Sequence, residues 1–379
     1  MKKKINLNKL LYLLFIISWG IGDLRNNVND DIKYIFFFAH LLFLFLLLIK
    51  RKFKNEKNSK EFKSLLCFIV PIVVYSLILQ CLNSSFLSQT LKDFLYIFCP
   101  ILYVYLLVNA EKDKDYSFYF KSELIVASIV FIIRAMPLLS LNNILSISFI
   151  SSYSPFEGIG NADAFLILFL YFFIKGNKKA SIISFIFLFL SFKRIHLIFA
   201  IIFMIIGYLI KKKNIKTISN FIYIFTMIIF LLSPPIIGLI VNDSFAQWFY
   251  TKTSMNLNDF TMGRIYTINI ISDYHYTNLG LGTISDLLQK LRLSNPWLAD
   301  DLHCDLMRIF LEGTVVSLFL LVYNYFKITK KNVYNYLLML FIFITMFSSH
   351  ILTSFFFWIL ALLFVFENNN KEETANEKN

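Results

Sequence analysis

Long apolar runs alternating with short lysine-rich connections set the pattern of this chain. Runs near the length of about 20 residues that a bilayer asks of a helix occur at 10–22, 32–49, 64–81, 93–109, 122–139, 161–174, 180–192, 195–210, 217–241, 303–326, 335–349 and 351–366. They predict about twelve transmembrane helices. The expected fold is therefore an all-α, polytopic integral membrane protein, with residues 1–366 as one membrane domain. The opening MKKKINLNKLLYLLFIISWG has the basic start and apolar middle of a signal peptide. Further spans follow it and no small-x-small site appears, so it reads as an uncleaved first helix.

The polar connections orient these helices. KRKFKNEKNSKEFK (50–63), EKDKDYSFYFK (111–121), KGNKK (175–179), KKKNIK (211–216) and KITKK (327–331) are rich in lysine, and each falls on the same side as MKKK. The intervening loops DLRNNVNDD (23–31) and NSSFLSQTLKD (83–93) are poor in it. The positive-inside rule then puts both termini in the cytoplasm, and the polar end ENNNKEETANEKN (367–379) reads as a disordered cytoplasmic tail. One run resists a simple reading. As a single helix, 180–210 would be about 45 Å long and bury Lys193 and Arg194 in a hydrocarbon core of about 30 Å. Both of its ends are lysine-flanked, so the chain is expected to turn back near SFKRIH.

This topology leaves one long external connection, about 242–302. Its many aromatics, among them Trp248, Phe249, Tyr250, Phe260, Tyr266, Tyr274, Tyr276 and Trp297, argue for a folded cap on the outer membrane surface rather than disorder. Within it ISDLLQKLRL (284–293) is amphipathic, with Leu287, Leu288 and Leu291 on one helical face.

Composition narrows the class. Of 379 residues 58% are hydrophobic and 18% aromatic, mean hydropathy is +0.65, and 44 Phe stand against 11 Gly and 7 Pro. That suits continuous membrane helices. The net charge of +13 lies in short clusters between apolar runs, as topogenic charge does, so no nucleic-acid partner is expected. Cys67, Cys81, Cys99 and Cys304 have no CxxC spacing and read as packing residues. No Rossmann-type Gly motif or Asp-x-Asp metal motif occurs; no cofactor or metal site is expected.

The candidate chemistry lies on the outer side of this topology. Arg134, Lys193, Arg194 and Arg264 would gather there, and several basic groups facing one cavity suit a multiply charged anion such as a diphosphate. Arg134 alone would read as a snorkelling side chain and Arg264 as a solvated loop residue. His303, in DDLHCDLMRIFLEGT (300–314), can serve as a general base near neutral pH. Asp300, Asp301 and Asp305 flank it, either to cap the helix that follows or to orient the ring. Arg308 and Glu312, four apart, read as an intramembrane pair. His40, His196, His275 and His350 lack ligand-like spacing, with His196 a weak candidate beside Arg194.

Three stretches resemble, in order, the O-antigen polymerase and ligase family of membrane glycosyltransferases. GIGNADAFLILFLYFF (158–173) is similar to its Gly, then Asn-x-x-Ala, helix opening; FLFLSFKRIHLIFAIIF (187–203) is similar to its Ser-x-x-Arg segment. GRIYTINIISDYHYTNLGLGT (263–283), followed by HCDLMRIFLEGTVVSLFLL (303–321), resembles its loop Arg, Gly-x-Gly turn, and His then Leu-x-Glu-x-Gly helix. The resemblance implies a GT-C-like fold in the bacterial cytoplasmic membrane and an undecaprenyl-diphosphate-linked oligosaccharide as substrate. It implies that Arg194 and Arg264 hold the diphosphate and His303 lies near the transferring sugar, making these three the catalytic candidates. Arg134, Lys193, Gly280, Gly282 and Asp301 are the substrate-binding candidates. The expected function is a polymerase joining repeat units of a surface polysaccharide, with a chain-length regulator as a further protein partner. A ligase acting on another acceptor and a lipid-linked glycan flippase are the alternatives.

Overall fold

The structure, a computed structural model, describes residues 6–24, 31–51, 58–111, 116–146, 155–156, 159, 161–213, 215, 217–261, 263–274 and 276–376. Among the described residues the chain is all helical, with no strand. In order come α1 (Leu7–Leu24), α2 (Asp31–Lys50), α3 (Ser59–Leu82), α4 (Ser88–Ala110), α5 (Ser117–Ala135), α6 (Leu141–Leu145) and α7 (Ala162–Ile174). They are followed by α8 (Lys178–Ser191), α9 (Arg194–Lys213), α10 (Asn220–Leu231), α11 (Ser233–Val241), α12 (Asp243–Thr253) and α13 (Leu257–Phe260). The last are α14 (Arg264–Asp273), α15 (Thr283–Arg292), α16 (Asp305–Lys327), α17 (Val333–Thr345) and α18 (Phe355–Asn376). Six of these, α1, α2, α3, α4, α9 and α16, are long and apolar enough to cross a membrane; with the bent pair α10–α11 counted as one span there are seven. This is the make-up of a membrane protein. Every apolar run of the sequence falls on helix, but α7, α17 and the apolar part of α18 are shorter than a full span.

Two breaks have visible causes. The run 217–241 is not one helix: it bends by 42° between α10 and α11. Pro234 and Pro235 lie in the first turn of α11, where their missing N–H groups cost nothing but the preceding helix cannot continue. The run 180–210 breaks at Phe192, which takes left-handed angles (φ 54°, ψ 22°).

The chain divides into two compact units, with two of the four boundaries falling inside α4 and α18 and the other two between helices. Unit 1 comprises 1–58, 103–215 and 359–379. Here α8 runs antiparallel to α7, since Phe165 stacks on Phe187 and Phe169 meets Phe185. By contrast α9 runs parallel to α7: His196 meets Asp163 at the start of both, and Gly207 lies against the Phe173 ring at the end of both. So the chain does turn back at 192–193. The described ends of the lysine-rich connections of this unit lie at one end of it. Arg51 donates to Ala110 O, Asn8 to Glu111, and Lys175 pairs with Glu367. That last pair explains a departure from expectation. Instead of beginning a disordered tail, Glu367 to Asn370 are buried and α18 continues to Asn376; residues 377–379 lie outside the described part.

Unit 2 comprises 59–102 and 216–358. The segment expected as a cap is folded here: Ile268, Ile271, Ile284, Leu288, Leu298 and Leu302 form one buried core with Ile237 of α11. The buried face of α15 is carried by Ile284 and Leu288 with Leu291 partly buried, and Leu287 sits at its edge rather than at its centre. Trp248, Tyr250, Phe260, Tyr274 and Trp297 remain exposed, the arrangement aromatic side chains adopt at headgroup level.

Candidate functional site

The first turn of α16 in unit 2 is the richest polar site. Asp305 is fully buried there. Its Oδ2 accepts the backbone N–H groups of Ile351 and Leu352, each at 2.6 Å, and its Oδ1 stands 3.0 Å from His350 Nδ1. The carboxylate thus pins the turn between α17 and α18 to the start of α16. The other His350 nitrogen, Nε2, lies 2.6 Å from Thr353 Oγ1 and 3.6 Å from Asp301 Oδ2. Burial alone would lower the His350 pKa, but the charge and hydrogen bond of Asp305 outweigh it and leave the pKa above the ordinary value. For Asp301 burial acts to raise the pKa, and the His350 charge outweighs it to hold the carboxyl below the usual range.

One turn further along, Arg308 is fully buried. Its Nη2 pairs with Asp93 of α4, its Nε with Glu312 Oε1 at 3.3 Å, and its Nη1 lies 3.3 Å from the His350 ring. Glu312 Oε1 also accepts the N–H of Ile284 at 3.1 Å. That bond matters to α15, whose N-cap residue, Gly282, has no side chain to satisfy the first N–H groups. A carboxylate from α16 does so instead. The Arg308–Glu312 pair expected from its spacing is therefore present, with Asp93 as a third member.

His303 is exposed at the lip of this network. Partial enclosure lowers its pKa first, and the Arg264 charge lowers it further, followed by that of His350. Arg264, half-buried as the first residue of α14, is thus close enough to act on the ring. None of the three flanking aspartates is bonded to His303: Asp300 pairs with Arg292, Asp301 faces His350, and Asp305 holds the 350–352 turn. Cys304 is buried, and burial pushes its thiol up to about 12, as befits a packing residue.

Gly280 and Gly282 are buried rather than open to a ligand. Gly280 (φ 93°) lies against Ser76 of α3, where a Cβ would come within 2.5 Å of the Ser76 Cα. Gly282 (φ 84°) meets the backbone of Gln89 and Thr90 in α4. Between them Leu281 N donates to Ser76 Oγ at 2.8 Å, and Thr90 Oγ1 donates to Leu281 O at 2.6 Å. Packing of this turn on two helices accounts for both glycines.

Unit 1 holds the remaining candidates. Asn161 caps α7 through Ala164 N (3.4 Å), which gives the Asn-x-x-Ala spacing its physical basis; Gly158 and Gly160 lie outside the described residues. Lys193, in the turn before α9, is 3.3 Å from Asp163 Oδ2, and His196 Nε2 is 2.5 Å from Oδ1. Arg194 opens α9, half-buried. Arg134, also half-buried, lies in the last turn of α5, with no ion-pair partner among the described residues. These cations sit at the end of unit 1 opposite its lysine-rich connections.

Asp93 and Asp163 are not singled out in the sequence, and His350 is set aside there for want of ligand-like spacing. Asp93 and Asp163 each interrupt an apolar run, and an acidic residue in a membrane helix calls for a basic partner; that signal was available. His350 gave none, because its charged partners lie more than 40 positions away. Among the described residues no three His, Cys, Asp or Glu side chains are arranged to hold a metal ion. No family model matches the chain, and no curated protein or solved structure matches it. What fold and site define is a helical membrane protein with a buried ionic network, an exposed histidine at its lip and a half-buried arginine that acts on it.

Proposed function

We propose that the protein is a membrane glycosyltransferase that polymerises a surface polysaccharide, joining undecaprenyl-diphosphate-linked repeat units at the outer face of the bacterial cytoplasmic membrane. In this reading the twelve apolar runs are spans and both termini are cytoplasmic. The observation that carries it is the proximity of Arg264 to His303. Arg264 favours the neutral imidazole, the form that accepts a proton, while its own charge can stabilise a departing diphosphate.

The chemistry balances without a protein nucleophile. The acceptor hydroxyl oxygen attacks the anomeric carbon in line, and its proton passes to His303. The carbon–oxygen bond to the diphosphate breaks and its electron pair leaves with the phosphate, so the anomeric centre inverts. The reaction needs no metal in this scheme. For Arg194 the support is the Ser-x-x-Arg resemblance.

A deletion strain tests the assignment. Loss of a polymerase leaves single repeat units on the final acceptor. Long chains retained on the lipid carrier would instead identify a ligase, and precursor trapped inside the cell a flippase.

A further inference from the structure

The ends of three apolar helices meet at a cavity in unit 1 that this chemistry does not use. The first turn of α1, the last turn of α2 with Arg51, and the end of α4 enclose about 350 Å³. Small-molecule sites span about 300 to 1,000 Å³. Leu7, Phe43 and Leu47 form an apolar wall, and Arg51 and Glu111 supply one charge of each sign. Phe43, Leu47 and Arg51 follow one another at every fourth residue, so they share a helical face.

Glu111 is only 4% exposed and firmly held. Its Oε2 accepts from the Tyr119 hydroxyl at 2.5 Å and from Asn8 Nδ2 at 3.3 Å. Asn8 Oδ1 is 2.8 Å from His40 Nε2, and His40 Nδ1 is 2.8 Å from the Tyr103 hydroxyl. A chain of five side chains therefore fixes the carboxylate in place. Arg51 is anchored separately, by the donation of Nη1 to Ala110 O at 2.6 Å. Although both line the same cavity, they form no ion pair with each other, and among the described residues neither has a partner of opposite charge. Opposite charges at the edge of an apolar medium gain by closing on each other. Two that are anchored apart across a cavity are matched by a ligand carrying both charges in the complementary order.

Position adds to the argument. The cavity lies at the ends of α1, α2 and α4, all membrane-crossing candidates, where headgroups meet hydrocarbon. Leu7, Leu10 and Leu14 are exposed along α1 and continue the apolar wall towards acyl chains.

We propose that this cavity binds the phosphoethanolamine headgroup of a phospholipid, with the phosphate on Arg51 and the ammonium on Glu111. An anionic glycerol headgroup has no cation for Glu111. A choline headgroup has the charge but none of the three N–H donors.

The test uses the purified full-length chain, exposed to equal phosphatidylethanolamine and phosphatidylglycerol and read by native mass spectrometry. The wild type retains phosphatidylethanolamine in about tenfold preference, a difference worth roughly one ionic contact. Glu111→Gln abolishes the preference, whereas Arg51→Gln, which removes the contact to the phosphate that both lipids carry, lowers the retention of both. Glu111→Gln also weakens the buried hydrogen-bond chain, so it is read at a melting temperature matched to that of the wild type, and Arg51→Gln leaves that chain intact. Equal retention of both lipids by the wild type, an undiminished preference in Glu111→Gln, or undiminished retention in Arg51→Gln overturns the proposal. Retention of soluble glycerophosphoethanolamine without retention of the lipid would overturn the lipid as its source.

Discussion

Asp305 and His350 are bound to each other across the turn that joins α17 to α18, with Oδ1 3.0 Å from Nδ1 while Oδ2 accepts two backbone N–H groups. This pair joins the start of α16 to the last helices of the chain. It also carries a pH signature.

His350 has a raised pKa in the folded protein, through Asp305 outweighing burial. Its protonation therefore stabilises the fold fully below the unfolded imidazole pKa of about 6.5, and that contribution is lost as pH rises through the higher folded value. Unfolding followed in detergent from about pH 6 to about pH 9 is expected to show falling stability in the wild type. His350→Asn should lose this slope. A variant that keeps the slope would assign the titration elsewhere.

Arg308 holds two buried carboxylates, Asp93 and Glu312. Arg308→Leu leaves both without their cation and is expected to cost about 3 to 5 kcal/mol. Removing Asp93 as well, in Asp93→Asn with Arg308→Leu, should destabilise less than the sum of the two single changes, because part of each cost is the partner left behind. Thermal unfolding of the four proteins closes the cycle.

Gly280→Ala meets two obstacles, a left-handed backbone and Ser76 within 2.5 Å of the new Cβ. The expected loss is at least about 1 to 3 kcal/mol of stability, seen as a lower melting temperature with less folded protein recovered. A binding role alone would weaken substrate affinity and leave the melting temperature unchanged.

The helices were legible in the sequence because a bilayer forces long apolar runs and lysine marks their connections. The turn at 192–193 could be read from length and flanking charge alone. The bend at Leu232 was written in Ser233–Pro234–Pro235, but the apolar run concealed it. The order after Phe366 was not visible, because Glu367 depends on Lys175, 192 positions earlier. The site was half legible. His303 and Arg264 stood out as polar residues bordering apolar runs, and Arg308 with Glu312 by their spacing. His350 needed tertiary structure, since nothing local marks a residue whose charged partners arrive from another helix.

His303 has a lowered pKa, from partial enclosure first and Arg264 second. Arg264→Ala should therefore raise it towards the ordinary value, and His303 resonances followed by NMR across a pH titration would read the change. An unmoved pKa would separate the two residues and remove the support that Arg264 lends to a proton-accepting role.

The most direct test of the account is a reconstituted reaction with purified protein in lipid and a defined undecaprenyl-diphosphate-linked repeat unit, with products resolved by length. The wild type should convert the monomer to dimers and longer chains with release of undecaprenyl diphosphate. His303→Ala and Arg264→Ala, at equal amount and melting temperature, should leave the monomer unchanged. Chain growth undiminished in His303→Ala, or no growth with the wild type while the monomer is bound, would contradict it.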